Sequence, residues 1–350
     1  MKQPLLFAAH QARGAELEVQ GDWLLPTRYS ADIGPEIEAL RAGAALIDLP
    51  EVPTVTLSGP DARRFCNGMF TNNIRDLKPG QGNRSAACDD RGRILCLLDI
   101  YCTQEDAFLG VLEGTTAQWF EERYGMYIVF DDVQMETFSE GPWLLSVQGP
   151  AAAEVLAKVG LPIPEEGHAQ VGDGIRVCKK DRAGTGGFDL LIPTEVLDTT
   201  FEALASAGAT PTGRDALDAV RISQGRAAWP QDGTEKSMVH ELRINGEVCS
   251  FTKGCYLGQE VINRVDVKGQ VTKQLMGLAL EEDALPPNGA SVQLDDAVVG
   301  SVSSAARIDG QAIALAVLRK KAWEPQTAVT IVAGDRQVAA RVINLPLDSN

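Results

Sequence analysis

The first two thirds of the chain contain stretches in which apolar residues recur at helical spacing. In three of them, residues 36–46, 195–207 and 214–223, apolar side chains lie three and four positions apart. This spacing predicts amphipathic helices. Pro35 suits the first turn of the first of these helices.

From residue 275 onward the pattern changes to short runs in which apolar and polar residues alternate. Turn-forming segments such as 286–289, 309–310 and 334–335 separate these runs. Strands of this length and spacing predict a small closed antiparallel barrel at the end of the chain.

The first two thirds of the chain also contain an internal repeat. Residues 55–62 read VTLSGPDA, and residues 145–152 read LSVQGPAA. Each copy predicts a strand, a Gly-Pro corner and then a helix. Two β–α modules of one type therefore follow each other along the chain.

The predicted fold is of the α+β class, with two tandem split β-α-β (ferredoxin-like) modules and a C-terminal antiparallel β-barrel. We expect one module to combine residues 1–50 with residues 140–268. The second module is expected over residues 51–139, and the barrel over residues 270–350. Two or three domains are also what a chain of 350 residues leads one to expect.

Composition and charge narrow the classes of function. The chain has 32 Lys and Arg against 48 Asp and Glu, a formal net charge of −16. This charge argues against direct binding of nucleic acid or of an anionic membrane. No apolar run approaches the ~18 residues of a membrane span. We therefore expect a soluble protein without nucleic-acid or membrane partners.

The cysteines and histidines do not form a recognisable metal motif. Seven cysteines are present without a Cys-x-x-Cys pair, and the three histidines are scattered. We expect no metal site in this chain. Reduced thiols are typical of a cytoplasmic protein, which is the expected location.

The most informative stretch is residues 253–260, which read KGCYLGQE between an apolar run and a further helical pattern. It predicts a turn that leads into a helix. Near a helix N-terminus and Lys253, the Cys255 thiolate would be favoured over the thiol. A buried structural cysteine in a tight turn is an equally good interpretation of the spacing alone. Gln259 and Glu260 offer amide and carboxylate groups suited to a flat heterocycle.

This octapeptide, continued by Arg264 and Gly269, resembles the signature of the YgfZ family, the folate-binding iron–sulfur cluster assembly factors. That family is related to the T-protein of the glycine cleavage system, an aminomethyltransferase. The resemblance implies a cloverleaf of domains around a central folate cleft. It also implies tetrahydrofolate, or a one-carbon derivative of it, as the cofactor.

The same resemblance implies roles for individual residues. Cys255 would be the reactive group, and Lys253 would assist it. Folate contacts would come from six side chains: Tyr256, Gln259, Glu260, Ser223, Glu241 and Arg264.

The chain departs from the T-protein pattern at two places. The T-protein carries an Asp-Asp pair where this sequence has Cys96 and Leu97, and Asp99 lies two or three positions further on. In the T-protein a glutamate binds the pterin, and this sequence has Ser223 at that position. Glu241 is the candidate to supply the missing carboxylate. Both departures weigh against aminomethyl transfer.

Three functions follow as alternatives. The expected one is a tetrahydrofolate-binding accessory protein that assembles or repairs iron–sulfur enzymes, including those that thiolate transfer RNA. Its partners would be iron–sulfur enzymes or assembly proteins, and it would not be an ordinary turnover enzyme. The second is a folate-dependent aminomethyltransferase of the T-protein type. The third is a scaffold that has kept the fold without the ligand.

Overall fold

The structure is a computed structural model that describes residues 1–138, 141–269, 271–282 and 284–346. Helices in the described residues are short, and none exceeds ten residues. They are α1 (Phe7–Ala12), α2 (Gly34–Ala42), α3 (Ala62–Met69), α4 (Ala117–Gly125), α5 (Ala152–Lys158), α6 (Leu197–Ser206), α7 (Arg214–Ser223), α8 (Asn245–Val248) and α9 (Gln259–Lys268), with 3₁₀ turns at Thr194–Val196 and Lys320–Ala322.

The strands fall into a long N-terminal series and a compact C-terminal series. The first series comprises β1 (Glu16–Gln20), β2 (Trp23–Arg28), β3 (Ala45–Asp48), β4 (Thr54–Ser58), β5 (Gly82–Cys88), β6 (Ile94–Gln104), β7 (Ala107–Glu113), β8 (Gln134–Phe138), β9 (Trp143–Gln148), β10 (His168–Gln170), β11 (Arg176–Lys179), β12 (Gly187–Ile192) and β13 (Thr210–Pro211). The second comprises β14 (Lys273–Leu280), β15 (Ser291–Leu294), β16 (Ala297–Ile308), β17 (Gln311–Arg319), β18 (Ala328–Ala333) and β19 (Arg336–Ile343).

The chain divides into two compact units. Unit 1 contains Met1–Cys66, Ile74–Asn83 and Leu98–Leu217. Unit 2 contains Asn67–Asn73, Arg84–Leu97 and Asp218–Asn350. The three predicted domain ranges divide the chain differently and stay a prediction. Those ranges also include residues 139, 140, 270, 283 and 347–350, which lie outside the described residues.

Unit 1 contains a six-stranded sheet with the order β10-β11-β12-β9-β3-β13. Strand β9 pairs antiparallel with both β12 and β3. Its buried face packs with helices α5 and α6 in one apolar core, to which Leu46, Leu145, Phe188 and Phe201 belong. A second sheet has the order β5-β6-β7-β4-β8. Sheets combined with short helices confirm the predicted α+β class.

The two predicted Gly-Pro corners have the same conformation. The φ angle of Gly59 is 120°, and that of Gly149 is 114°. A Cβ atom on Gly59 would lie 2.4 Å from the Asp132 carbonyl oxygen, and one on Gly149 would lie 2.5 Å from the Gly43 carbonyl oxygen. Each corner is followed by its predicted helix, α3 or α5, so the internal repeat is a structural one.

The helix predicted over residues 36–46 is shorter than expected. Helix α2 ends at Ala42, and the residues after Gly43 form β3, which is buried along its whole length. A fully buried strand has no polar face and therefore no alternation that periodicity can detect. Burial in the sheet between β9 and β13 overrides the helical spacing.

Unit 2 contains the predicted barrel. Six strands close in the order β14-β17-β16-β15-β18-β19, and their pairings are antiparallel. Alternate residues of these strands point inward, among them Leu278, Val292, Leu318 and Ile331. The barrel prediction is confirmed.

Among the described residues, no helix is both long enough and apolar enough to cross a membrane.

Candidate functional site

The candidate site is the loop of residues 253–260 at the start of helix α9 in unit 2. The helix begins at Gln259, and Gly258 caps it in the left-handed region, with a φ angle of 83°. The predicted turn that leads into a helix is confirmed. The field of the helix dipole is strongest in the first turn of the helix. Cys255 lies three residues before the cap and therefore outside that turn.

Gly258 fixes the loop against a second turn of unit 2. A Cβ atom on Gly258 would lie 2.5 Å from the carbonyl oxygen of Asp89. The Asp89 side chain closes that turn by accepting hydrogen bonds from the backbone nitrogens of Arg91 and Arg93, at 2.9 Å and 2.8 Å. Asp89 is therefore a turn residue, as its position before Gly92 in the sequence predicts.

Lys253 has structural partners. Its buried ammonium group donates hydrogen bonds to the backbone carbonyls of Phe70, at 2.6 Å, and Asn72, at 2.7 Å. The same nitrogen lies 4.9 Å from the centre of the Tyr256 ring. Lys253 thus ties the loop to residues 70–72, which gives it a positioning part in the site.

Cys255 differs from the other six cysteines in its exposure. All seven are free thiols, and Cys255 is exposed while the others are buried. Burial raises the pKa of the Cys249 thiol to about 11 and raises that of Cys88 as well. The six buried thiols are shielded from solvent, and Cys255 is the thiol that solvent reaches.

Among the buried polar atoms of unit 2 that have no hydrogen-bond partner in the described part of the chain are the Tyr256 hydroxyl, the Trp229 ring nitrogen and the Nδ1 nitrogen of His240. Tyr256 is 7% exposed and His240 is 5% exposed. Tyr256 and Trp229 belong to one apolar cluster, which also contains Ile262 of α9. Buried polar groups are nearly always paired, so these atoms point to a ligand or solvent contact.

Burial shifts the acid–base behaviour of two of these groups. It lowers the pKa of His240, and the carboxylate of Asp266, 3.5 Å from His240 Nε2, opposes that shift only in part. It also raises the pKa of the Tyr256 hydroxyl. Near neutral pH the site therefore presents a neutral imidazole and a neutral phenol.

The polar residues at the start of α9 face outward. Glu260 and Arg264 are exposed, and Gln259 is half-buried. The Gln259 amide donates to the Gly254 carbonyl at 3.4 Å, a long contact that braces the loop weakly. These three side chains are accessible polar groups that follow Cys255 in the sequence.

Ser223 and Glu241 are engaged within unit 2. The Ser223 hydroxyl is buried and donates to the Val220 carbonyl of its own helix, at 2.7 Å. The Glu241 carboxylate accepts from the Met238 backbone nitrogen at 3.2 Å and lies 3.3 Å from Lys273 Nζ. Their predicted folate contacts stay a prediction.

Strand β6 contains the positions at which the resemblance to the T-protein leads one to expect an Asp pair. Cys96 and Leu97 are buried in β6. Within unit 1, Asp99 lies further along β6 and accepts a hydrogen bond from the buried ammonium of Lys180 at 2.5 Å. Glu113 lies 3.0 Å from the same ammonium group, so Asp99 belongs to a buried ion-pair network.

Two further residues, Thr71 and Glu247, hold the segment that precedes the loop, and neither is predicted from the sequence. The Thr71 hydroxyl donates to the Val248 carbonyl and accepts from the Ala86 backbone nitrogen. The Glu247 carboxylate lies 3.1 Å from Arg84 and 3.3 Å from Arg226. Backbone acceptors and ion pairs between distant residues have no local sequence signal, so spacing could not find them.

Two family profiles cover most of the chain. The GCVT N-terminal domain matches residues 6–253, and the glycine cleavage T-protein C-terminal barrel domain matches residues 273–348. The second match coincides with the closed barrel of unit 2. Aminomethyltransferases of this family use tetrahydrofolate as substrate or cofactor.

Individual relatives agree with these profiles along the full length of the chain. An aminomethyltransferase of Bacillus velezensis is 28% identical over 99% of this chain and 98% of its own. An aminomethyltransferase of Listeria monocytogenes is 25% identical over 99% and 97%. The crystal structure of the glycine cleavage system aminomethyltransferase T from Bartonella henselae shares the fold, with a TM-score of 0.89 at 22% identity, covering 99% of this chain and 98% of that one.

These findings correct the function expected from the octapeptide. The relatives that match along their whole length are named as aminomethyltransferases, so the prediction of an accessory factor for iron–sulfur enzymes is wrong. They give no support to iron–sulfur partners or to a part in transfer-RNA thiolation. With both domain profiles in order along it, the chain belongs to the family of the glycine cleavage T-protein.

Proposed function

We propose that this protein is a tetrahydrofolate-dependent aminomethyltransferase of the T-protein type, the second of the functions that the sequence left open. One observation carries the proposal. Both domains of the T-protein family follow each other in order, over residues 6–253 and 273–348. Relatives named for this activity match 99% of this chain over 98% of their own length.

The unpaired polar atoms of unit 2 fit a folate. A pterin ring is flat and carries both donors and acceptors on its edges. The Tyr256 hydroxyl and the His240 Nδ1 nitrogen are buried and have no hydrogen-bond partner in the described residues, and the Trp229 ring nitrogen can only donate. We propose that these groups, rather than the Ser223 hydroxyl, hold the pterin. When bound, tetrahydrofolate supplies the nitrogen that accepts the one-carbon unit.

A transferase of this kind needs a carboxylate near that nitrogen, which Cys96 and Leu97 cannot supply. We assign this part to Glu260, which is exposed in the first turn of α9. Gln259 and Arg264 on the same helix would bind the polar groups of the folate, and Lys253 would hold the loop in place.

Cys255 keeps its place as the candidate reactive group. It is an exposed thiol within five residues of Glu260. We also propose, from the octapeptide alone, that the chain groups with the YgfZ-type sequences inside this family. That grouping is based on sequence similarity alone, and no separate activity is proposed from it.

A genetic experiment tests the proposed activity. The host lacks this gene and any other gene for a glycine cleavage T-protein, and its growth depends on glycine as the one-carbon source. The wild-type chain should restore growth, Glu260→Gln should not, and Asp335→Asn, a change in an exposed barrel turn, should restore it fully. Failure of the wild-type chain to restore growth, with the protein present and folded, would contradict the proposal.

A further inference from the structure

A contiguous apolar segment of unit 1 is exposed. It follows helix α4 and comprises Met126, Tyr127, Ile128, Val129 and Phe130, which we call the apolar tip. Phe130 is 98% exposed, Val129 is 72% exposed and Met126 is 60% exposed. Single exposed apolar residues are normal, but a run of this kind is typical of an interaction surface.

Backbone hydrogen bonds hold both ends of the apolar tip. The backbone nitrogens of Tyr127 and Ile128 donate to the Tyr124 and Gly125 carbonyls, at 3.0 Å and 3.2 Å. The Asp131 nitrogen donates back to the Ile128 carbonyl at 2.9 Å. The apolar side chains are therefore presented by an ordered turn.

The base of this turn is fastened to the start of helix α3. The Asp132 backbone nitrogen donates to the Asp61 carboxylate at 2.9 Å, and the Asp61 nitrogen donates to the Asp132 carbonyl at 3.3 Å. Arg64 forms ion pairs with both Asp61 and Asp131. A pre-organised apolar surface loses little conformational entropy when it binds a partner.

The sequence on either side of the apolar tip is acidic. Glu121, Glu122, Asp132 and Glu136 are exposed within ten residues of it. The basic residue between them, Arg123, has its guanidinium carbon 5.8 Å from the centre of the Tyr127 ring. The tip thus combines apolar side chains with an excess of negative charge.

We propose that the apolar tip docks a partner protein whose surface presents an apolar groove bordered by lysine and arginine residues. Charge complementarity selects this partner over two others. A second copy of this chain would bring the same acidic residues and a net charge of −16 against the tip. An anionic lipid surface would be repelled for the same reason. The inference depends on unit 1 alone and is separate from the chemistry proposed for unit 2.

A site-specific crosslink identifies the partner. Phe130→benzoylphenylalanine is expressed in the native host and irradiated, and Val298→benzoylphenylalanine serves as the control, since Val298 is an apolar barrel residue that is 52% exposed. Crosslinked proteins are identified by mass spectrometry, and the partner is then purified. We expect one protein that crosslinks at position 130 and not at position 298.

Binding of the purified partner is then measured by calorimetry with the wild-type chain, F130D and V298D. We expect F130D to weaken binding at least tenfold, V298D to leave it unchanged, and both variants to keep the wild-type melting temperature. Raising the salt concentration from 50 to 300 mM should also weaken binding.

Several results would overturn the proposal. They are a crosslink only to a second copy of the chain, adducts at position 130 no different from those at position 298, or a partner that F130D or salt does not affect. Flotation of the wild-type chain, but not of F130D, with phosphatidylglycerol vesicles would assign the tip to a membrane instead. Glycine-dependent growth tests the transferase proposal, and crosslinking and binding at Phe130 test the docking proposal. Either proposal can therefore fail without the other.

Discussion

The Lys253 ammonium nitrogen lies 2.6 Å from the backbone carbonyl oxygen of Phe70, a residue 183 positions earlier in the chain. A second bond from the same nitrogen reaches Asn72 at 2.7 Å. These charge-assisted bonds hold the candidate loop against residues 70–72, and burial makes their loss costly.

Lys253→Met should therefore destabilise the protein by about 2–4 kcal/mol, since it leaves two carbonyls without their donor. Unfolding in urea, followed by circular dichroism, measures the change. Lys268→Met, at the exposed end of α9, is the matched control and should stay within about 0.5 kcal/mol of the wild type. Equal effects of the two substitutions would show that the Lys253 bonds do not hold the loop.

Gly258→Ala should be more harmful than Gly269→Ala, although both glycines lie at the ends of α9 with positive φ angles. The new methyl group at position 258 would lie 2.5 Å from the Asp89 carbonyl oxygen, whereas position 269 is open. We expect a loss of about 2–4 kcal/mol for the first change and about 1 kcal/mol for the second. Thermal unfolding of both variants checks the difference, and similar losses would mean that the loop does not pack on the Asp89 turn.

One thiol should react quickly with a disulfide reagent under native conditions. Cys255 is exposed and the other six cysteines are buried. Titration with dithiobis-nitrobenzoate should give one fast equivalent, which Cys255→Ser removes and Cys66→Ser leaves in place. Two or more fast thiols in the wild-type protein would be inconsistent with this exposure.

Acidification should weaken folding through His240. Burial lowers its pKa below the ordinary value of 6.5, so the unfolded chain binds a proton that the folded chain resists. The associated stability is present above pH 6.5 and is lost as the pH falls through the folded-state pKa. His168, whose pKa burial also lowers, contributes in the same direction.

The unfolding free energy of the wild type and of His240→Asn, measured between pH 8 and pH 5, tests this. The variant should lose less stability than the wild type over that range. In the double variant with His168→Asn, the unfolding free energy should depend still less on pH. Superimposable profiles for the wild type and His240→Asn would contradict the account.

Much of the fold could be predicted from the sequence. The barrel strands alternate in polarity because one face of each is buried and the other is wet, so their period is visible, and the observed limits of β15 agree with the pattern. The Gly-Pro corners at Gly59 and Gly149 were visible as a repeat because a crowded left-handed position leaves glycine as the suitable residue. Strand β3 was not visible, since it is buried on both faces.

The site was predicted less completely. The loop and helix around Cys255 follow from local spacing, whereas the partners of Lys253 are backbone carbonyls, which every residue possesses. The folate contact of Ser223 stays a prediction, and the bond from its hydroxyl to the Val220 carbonyl is one that helical geometry supplies without any signal in the motif. Tyr256 belongs to the octapeptide and is among the folate contacts expected from it. Trp229 and His240 lie outside any distinctive motif, so only their buried polar atoms bring them to notice.

The most direct test of the proposed activity is a single-turnover assay with the purified protein. The protein is mixed with tetrahydrofolate and a carrier protein of the glycine cleavage system that bears a ¹³C-labelled aminomethyl group. We expect the wild type to form labelled one-carbon tetrahydrofolate. The rate of its formation should fall at least a hundredfold with Glu260→Gln and stay unchanged with K268M. If tetrahydrofolate binds and no labelled product forms above the rate without protein, the chain is a folate binder and not a transferase.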